Sequence, residues 1–327
     1  MDDKLAAHLA REVQAGTTML EPRYAEIPTF MRRPYVPDGP GMQEVEIGMI
    51  GVPFDLGVTN RPGARHGPRE VRNQSTLMGF VHHHSKIMPF DLCNVADLGD
   101  VRIGNRYALD EAIREIHAFY TRVVDAGIAP LSVGGDHSVT FPILQAVGAG
   151  EPVGLVHIDA HCDTMGEFQG SKFHHGGPFR NAVEAGVLDP ARTIQIGIRG
   201  MAEPMWDFSY DSGMRVIHIE EFHQMGLAAV IEEARRVVGD GPTYVSFDVD
   251  GLDPCFAPGT GTPEVGGLTT IEGQALIRGL RGLHLVGGDV VEVAPPFDPS
   301  GVTALVGATM MFEILCVLAD SLAARRS

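Results

Sequence analysis

Short apolar runs recur along this chain and alternate with longer stretches whose apolar residues step by three or four. A run that is apolar on both faces reads as a strand buried on both sides, and a stepped stretch reads as an amphipathic helix. Together they describe βα units that build a parallel sheet covered by helices on both faces. Strands are expected over residues 45–52, 130–133, 153–158, 193–198, 215–219, 243–247 and 283–293. Leu109, Ile113, Ile116, Tyr120 and Val123 share one helical face, as do Leu227, Val230, Ala234 and Val237, and residues 271–280 and 303–322 also read as helices. The predicted class is α/β.

Residues 60–68 (NRPGARHGP) and 253–267 (DPCFAPGTGTPEVGG) are rich in Gly and Pro and are expected to be shaped loops. No repeat or compositional break marks a linker. The 327 residues, 44% of them hydrophobic, are therefore assigned to one domain over 41–327, with 1–40 as an N-terminal arm.

Asp and Glu outnumber Lys and Arg by 42 to 25, a formal charge of −17 that repels a phosphate backbone, so a nucleic-acid partner is not expected. Charges interrupt the first 19 residues, which resemble neither a signal nor a transit peptide, and no uninterrupted apolar stretch reaches the roughly 18 to 20 residues of a membrane span. Cys93, Cys162, Cys255 and Cys316 show no paired spacing, which fits a reducing, cytoplasmic setting.

The chemistry gathers at strand exits. Asp159-Ala160-His161-Cys162-Asp163 follows the apolar run 154–158, where open α/β sheets present functional loops. Alone, this segment also reads as a solvated polar turn. Asp248-Val249-Asp250 follows the run 244–247, and period-two alternation would aim both carboxylates to one side. Gly134-Gly135-Asp136-His137-Ser138 follows a third, with the glycines expected to turn the chain and present His137. His137, Asp159, His161, Asp163, Asp248 and Asp250 make a mixed nitrogen and oxygen donor set suited to Mn²⁺ or similar ions. Six donors exceed the needs of one tetrahedral ion, so two ions sharing carboxylates, with Asp159 and Asp248 as the chosen bridges, fit better and point to hydrolysis.

In this order G-G-D-H-S, D-A-H-x-D and S-F-D-V-D-G-L-D-P-x-F-A-P-G-T-G-T-P-E resemble the ureohydrolase family of arginases, agmatinases and guanidino-acid hydrolases, from about Ile47 onward. Residues 63–69 and 258–264 are more similar to the agmatinase and guanidinobutyrase branch than to arginase. The resemblance implies a three-layer αβα fold around a mostly parallel, about eight-stranded sheet. It implies that His137, Asp159, Asp163 and Asp248 hold one ion, and Asp159, His161, Asp248 and Asp250 the other. It further implies that Glu292 binds the guanidinium and that His175 helps protonate the leaving amine.

The expected reaction is attack of a metal-bridging hydroxide on a guanidino compound to give urea and an amine, with Asp163 moving a proton. Two Mn²⁺ per chain are expected, with Ni²⁺ the alternative used by some relatives on small guanidines. For the substrate tail, Lys172 in the loop 164–174 is expected to pair with a carboxylate, favouring 4-guanidinobutanoate or 3-guanidinopropanoate, whereas Glu167 would favour agmatine. Gly177 replaces a Thr or Ser of many relatives, which opens the alternative of a small alkylguanidine or biguanide. A homotrimer or homohexamer is implied by the resemblance, and a non-catalytic partner subunit is the competing reading from another class. His82, His83 and His84 are expected to be exposed loop residues, and Cys162 to serve packing.

Overall fold

The computed structural model describes residues 3–14, 17, 21–37, 42–200 and 205–326. Eight strands, β1 (Ile47–Gly51), β2 (Val95–Asp100), β3 (Ala129–Val133), β4 (Val153–Ile158), β5 (Leu188–Ile198), β6 (Arg215–His218), β7 (Thr243–Asp248) and β8 (Leu285–Val291), form one sheet. Its order is β2-β1-β3-β8-β7-β4-β5-β6, and every pairing is parallel. The helices are α1 (Asp3–Gln14), α2 (Gly67–Ser75), α3 (Pro89–Leu92), α4 (Leu109–Asp125), α5 (Thr140–Val147), α6 (Pro178–Glu184), α7 (Asp207–Ser212), α8 (Ile219–Met225), α9 (Leu227–Val238), α10 (Thr270–Gly279) and α11 (Val302–Arg326).

Two apolar cores follow from the two faces of the sheet. On one, Val71 of α2, Phe222 of α8, Val230 of α9, Leu276 of α10 and Met310 of α11 pack with Val245 and Val290. On the other, Ile116 and Tyr120 of α4, Ile143 and Leu144 of α5 and Phe179 of α6 pack with Leu155 and Val291. Of the stepped residues of α4, Ile113, Ile116, Tyr120 and Val123 are buried and Leu109 is partly so, as amphipathic periodicity requires. The αβα architecture expected from the sequence is therefore the one observed.

Strand β2 escaped sequence reading because acids interrupt it. Asp97 is fully buried, and that burial is tolerated because Arg72 reaches it at 2.8 Å and the backbone N–H groups of Phe30 and Gly99 both donate to it. Nor are all of residues 60–68 loop, since Gly67 and Pro68 open α2. His82 corrects another expectation: it is buried, with Nε2 2.9 Å from Glu313, while His83 and His84 are exposed. Helix α11 meets the length and mean hydropathy of a membrane span, 2.1 over its most apolar window, although Glu313 interrupts its apolar run. Because 83% of that window is buried inside the fold, it is placed as a core helix.

The N-terminal segment packs closely on the sheet. Phe30 and Met31 are fully buried, Arg33 pairs with Glu12 in the interior at 2.5 Å, and Tyr35 bridges to Asp97. The expected boundary at residue 40 lies outside the described residues.

Candidate metal centre

The four central strands, β3, β8, β7 and β4, deliver the chemistry at their carboxyl ends, where side chains from neighbouring strands converge. His137 enters from a 3₁₀ turn after β3, capped by Asp136, whose side chain accepts the Ser138 N–H. Gly135 serves this entry by close approach and not by a turn, because a Cβ there would lie 1.4 Å from the Phe54 carbonyl oxygen. Asp248 ends β7, and a second 3₁₀ turn follows, in which its side chain accepts the Asp250 N–H at 2.8 Å. Strand alternation therefore does not align Asp248 with Asp250, as had been expected; the turn does.

The six expected donors lie together. His137 Nδ1 is 2.9 Å from Asp163 Oδ2, 3.1 Å from Asp159 Oδ2 and 3.3 Å from Asp248 Oδ2. His161 Nδ1 is 3.4 Å from Asp159 Oδ1 and 3.2 Å from Asp250 Oδ2. Asp159 thus faces both imidazoles, one oxygen to each. His137 Nδ1 is buried without a well-directed hydrogen bond, a costly state unless a cation satisfies it. Burial and the charges of Asp250 and Asp159 push the Asp248 carboxyl well above the usual carboxylate range, and burial with Asp159 raises Asp250 to about 6 against the pull of His161. Crowded carboxylates that hinder one another's ionisation, around an unpaired imidazole nitrogen, are the donor set that divalent cations relieve.

Two of the residues hold a backbone that ordinary side chains avoid. Asp163 has φ 53° and Glu292 has φ 63°, both in the left-handed region where non-glycine residues carry strain and cluster at functional sites. Glu292 follows β8 directly and is 1% exposed. Its Oε1 accepts the His137 backbone N–H at 2.9 Å and lies 3.2 Å from His175 Nδ1, while its Oε2 is buried and unpaired. Burial works to lower the pKa of His175, but the hydrogen bond and charge of Glu292, with Asp163 and Asp136, carry it up to about 9. The His175 Nε2 meets Thr59 Oγ1 at 2.7 Å.

A cavity of about 560 Å³ opens over this cluster. His161, Asp163, His175, Asp248 and Asp250 line its floor, and Thr59, Arg61, Met165, Phe168, Trp206 and Glu264 its walls. Lys172 and Glu167 are exposed and are not among the lining residues. The Lys172 amino group lies 5.1 Å from the centre of the Phe173 ring. Cys162 is buried against Ile198, Val216 and Trp206, so it packs as expected. Gly177 has a local reason: an added Cβ would meet the Met165 carbonyl at 2.9 Å and the His174 ring at 3.1 Å.

Several contributors were not singled out from sequence. His157 Nε2 lies 2.7 Å from Asp159 Oδ2. The Gln195 amide donates to the Cys162 carbonyl and lies 3.1 Å from His157 Nδ1, so Nδ1 accepts and Nε2–H donates to Asp159. Ser246 touches His137, and Thr59 touches His175. Arg199 donates to the carbonyls of Asp250, Gly251, Leu252 and Glu264, which ties the wall of the cavity to the β7 exit. His157 and Ser246 each stand two positions before an expected donor aspartate, a signal the sequence did contain.

Residues 45–317 match the model of the arginase family. The chain is 60% identical over 305 residues to a guanidinopropionase of Pseudomonas aeruginosa, covering 92% of this chain and 95% of that one. It is 49% identical over 277 residues to a mitochondrial agmatinase of Gallus gallus, covering 84% and 81%. Among solved structures, proclavaminate amidino hydrolase from Streptomyces clavuligerus superposes with a TM-score of 0.88 at 40% identity, covering 92% of this chain and 100% of that one.

Proposed function

We propose, from the premise that this chain belongs to the arginase family, that it hydrolyses a guanidino compound to urea and an amine at the cavity over the strand ends. The observation that carries this reading is the buried, unpaired Oε2 of Glu292 beside the imidazole and carboxylate cluster. A carboxylate oxygen left without a donor there suits a planar, cationic guanidinium.

The residues fit two divalent ions, one held by His137, Asp159, Asp163 and Asp248 and the other by Asp159, His161, Asp248 and Asp250, with Mn²⁺ the first choice and Ni²⁺ the alternative. When bound, such a pair makes hydroxide available from water near neutral pH. The protein does the rest. Glu292 fixes the guanidinium and thereby aims its carbon at the cluster. Asp163 takes up the proton released as the tetrahedral carbon forms. His175, held protonated by Glu292, returns a proton to the departing nitrogen, either directly or through the Thr59 hydroxyl on the cavity wall.

The guanidinopropionase relative supports a guanidino acid, 3-guanidinopropanoate or 4-guanidinobutanoate, as substrate. If Lys172 is the partner of its carboxylate, the loop must carry the amino group inward, because that side chain is exposed here. A second reading rests on Glu264, which shares the cavity wall with Arg61 and suits agmatine or an alkylguanidine or biguanide bearing N–H groups. A urea-release assay over guanidino acids, agmatine, arginine, guanidine and dimethylbiguanide, run with Mn²⁺ and with Ni²⁺, decides between them. No urea from any of these would overturn the proposal in favour of a non-catalytic partner subunit. The reading includes a homotrimer or homohexamer, checked by light scattering. It also includes a cytoplasmic location, which the four unpaired cysteines support.

A further inference from the structure

Among the buried carboxylates that the mechanism above does not use, Asp289 lies nearest to a metal-facing imidazole, one hydroxyl away. Asp289 is fully buried in β8, and the hydrogen bonds it accepts come from three hydroxyls: Ser246 Oγ to Oδ1 at 2.7 Å, and Thr140 Oγ1 and the Tyr244 hydroxyl to Oδ2 at 2.8 and 3.1 Å. An interior carboxylate is costly, and hydroxyl donors offset only part of that cost. Its use becomes visible through Ser246. Ser246 and Asp289 are register partners on the paired strands β7 and β8, so the sheet itself sets them side by side.

The Ser246 hydroxyl has a single proton, and Asp289 takes it. The same oxygen lies 2.8 Å from His137 Nε2 and must accept there, so Nε2 carries the hydrogen. A neutral imidazole with its hydrogen on Nε2 has its lone pair on Nδ1. That is the nitrogen that faces Asp159, Asp163 and Asp248 and has no well-directed hydrogen bond.

We propose that Asp289 is a positioning residue which, through Ser246, holds His137 as the Nε2–H tautomer and so presents the Nδ1 lone pair to a divalent cation. The proposal rests on the metal reading of the cluster. The charge of Asp289 also strengthens His137 as a ligand, as carboxylates behind metal-bound imidazoles do. The relay is confined to one half of the centre. His161, the other imidazole, is partly exposed, and its Nε2 lies 3.8 Å from Glu264, too far for a hydrogen bond.

The test is metal binding by the metal-stripped, full-length protein, with Mn²⁺ titrated against a competing chelator and Co²⁺ absorption used to report ligand geometry. The wild type should take up two equivalents. In Ser246→Ala the Kd of one equivalent should rise about 10- to 100-fold, with an altered Co²⁺ spectrum, and the other should not move. Asp289→Asn should weaken the same equivalent by about tenfold. Thr140→Val, which removes a donor to Asp289 but leaves the relay whole, should lower the melting temperature of the metal-free protein without changing either Kd. A merely structural Asp289 would give the reverse: lower melting temperatures for Asp289→Asn and Ser246→Ala, with both Kd values of the folded protein unchanged. That result overturns the relay alone, whereas a wild type that binds no Mn²⁺ or Co²⁺ overturns the metal reading and the relay with it. Should Asp289→Asn fail to fold, Ser246→Ala decides, since it leaves the carboxylate two of its donors.

Discussion

Replacing Glu292 by Gln removes one negative charge and almost no volume. The amide oxygen can still accept the His137 backbone N–H that Oε1 accepts at 2.9 Å, so the β8 exit should keep its shape. What changes is the other oxygen. Oε2 has no partner and becomes an amide nitrogen, which cannot accept from a guanidinium. Because Oε1 is already occupied by His137 and His175, the loss is counted as about one charge-assisted hydrogen bond, about 2 to 3 kcal/mol. At 1.36 kcal/mol per tenfold, kcat/KM should fall roughly 30- to 150-fold. Bound metal, measured by plasma emission spectroscopy on the same preparation, should stay at the wild-type level, since Glu292 is not among the proposed ligands. The assay is urea release with whichever guanidino compound the panel identifies. A kcat/KM within about threefold of wild type would refute the placement of the guanidinium on Glu292, and a loss of metal would show the residue to be structural to the centre.

Asp159→Ala should lose metal and turnover together, because Asp159 faces both His137 and His161; full metal content in that variant refutes the bridging assignment. The His175 pKa is raised to about 9, so its protonated form, and the stability that form contributes, is complete below the ordinary imidazole value and is lost as pH rises through about 9. Turnover should fall over that alkaline range, and in Glu292→Gln the fall should begin at lower pH; an unchanged alkaline limb in the pH–rate profile excludes His175 as the proton donor. Lys172→Met should change kcat/KM for 3-guanidinopropanoate by no more than about fivefold, the most a solvated ion pair contributes, and a larger loss restricted to guanidino acids would show that the loop brings Lys172 inward. Gly135→Ala should destabilise the fold by about 3 kcal/mol or more, read as a lowered melting temperature, because the added carbon would overlap the Phe54 carbonyl.

The sequence by itself determined the α/β class and the parallel sheet, because apolar runs fix strands buried on both faces, and it pointed to six candidate donors at or shortly after strand ends. It determined less where a residue's environment depends on distant chain. Nothing local in VADLGD announces a strand, since the burial of Asp97 becomes tolerable only when Arg72 and Phe30 arrive from other elements. Lys172 and Glu167 stood out as charges within one short loop, but which way a loop side chain faces depends on how the backbone folds over its neighbours. Asp289 and Ser246 read as ordinary strand residues until the pairing of β7 with β8 sets them level and the exit of β3 lays His137 against them. Hydrophobic patterning is periodic and short-ranged, so it can be read from the chain, whereas hydrogen-bond partnership and the tautomer it dictates belong to the packed fold.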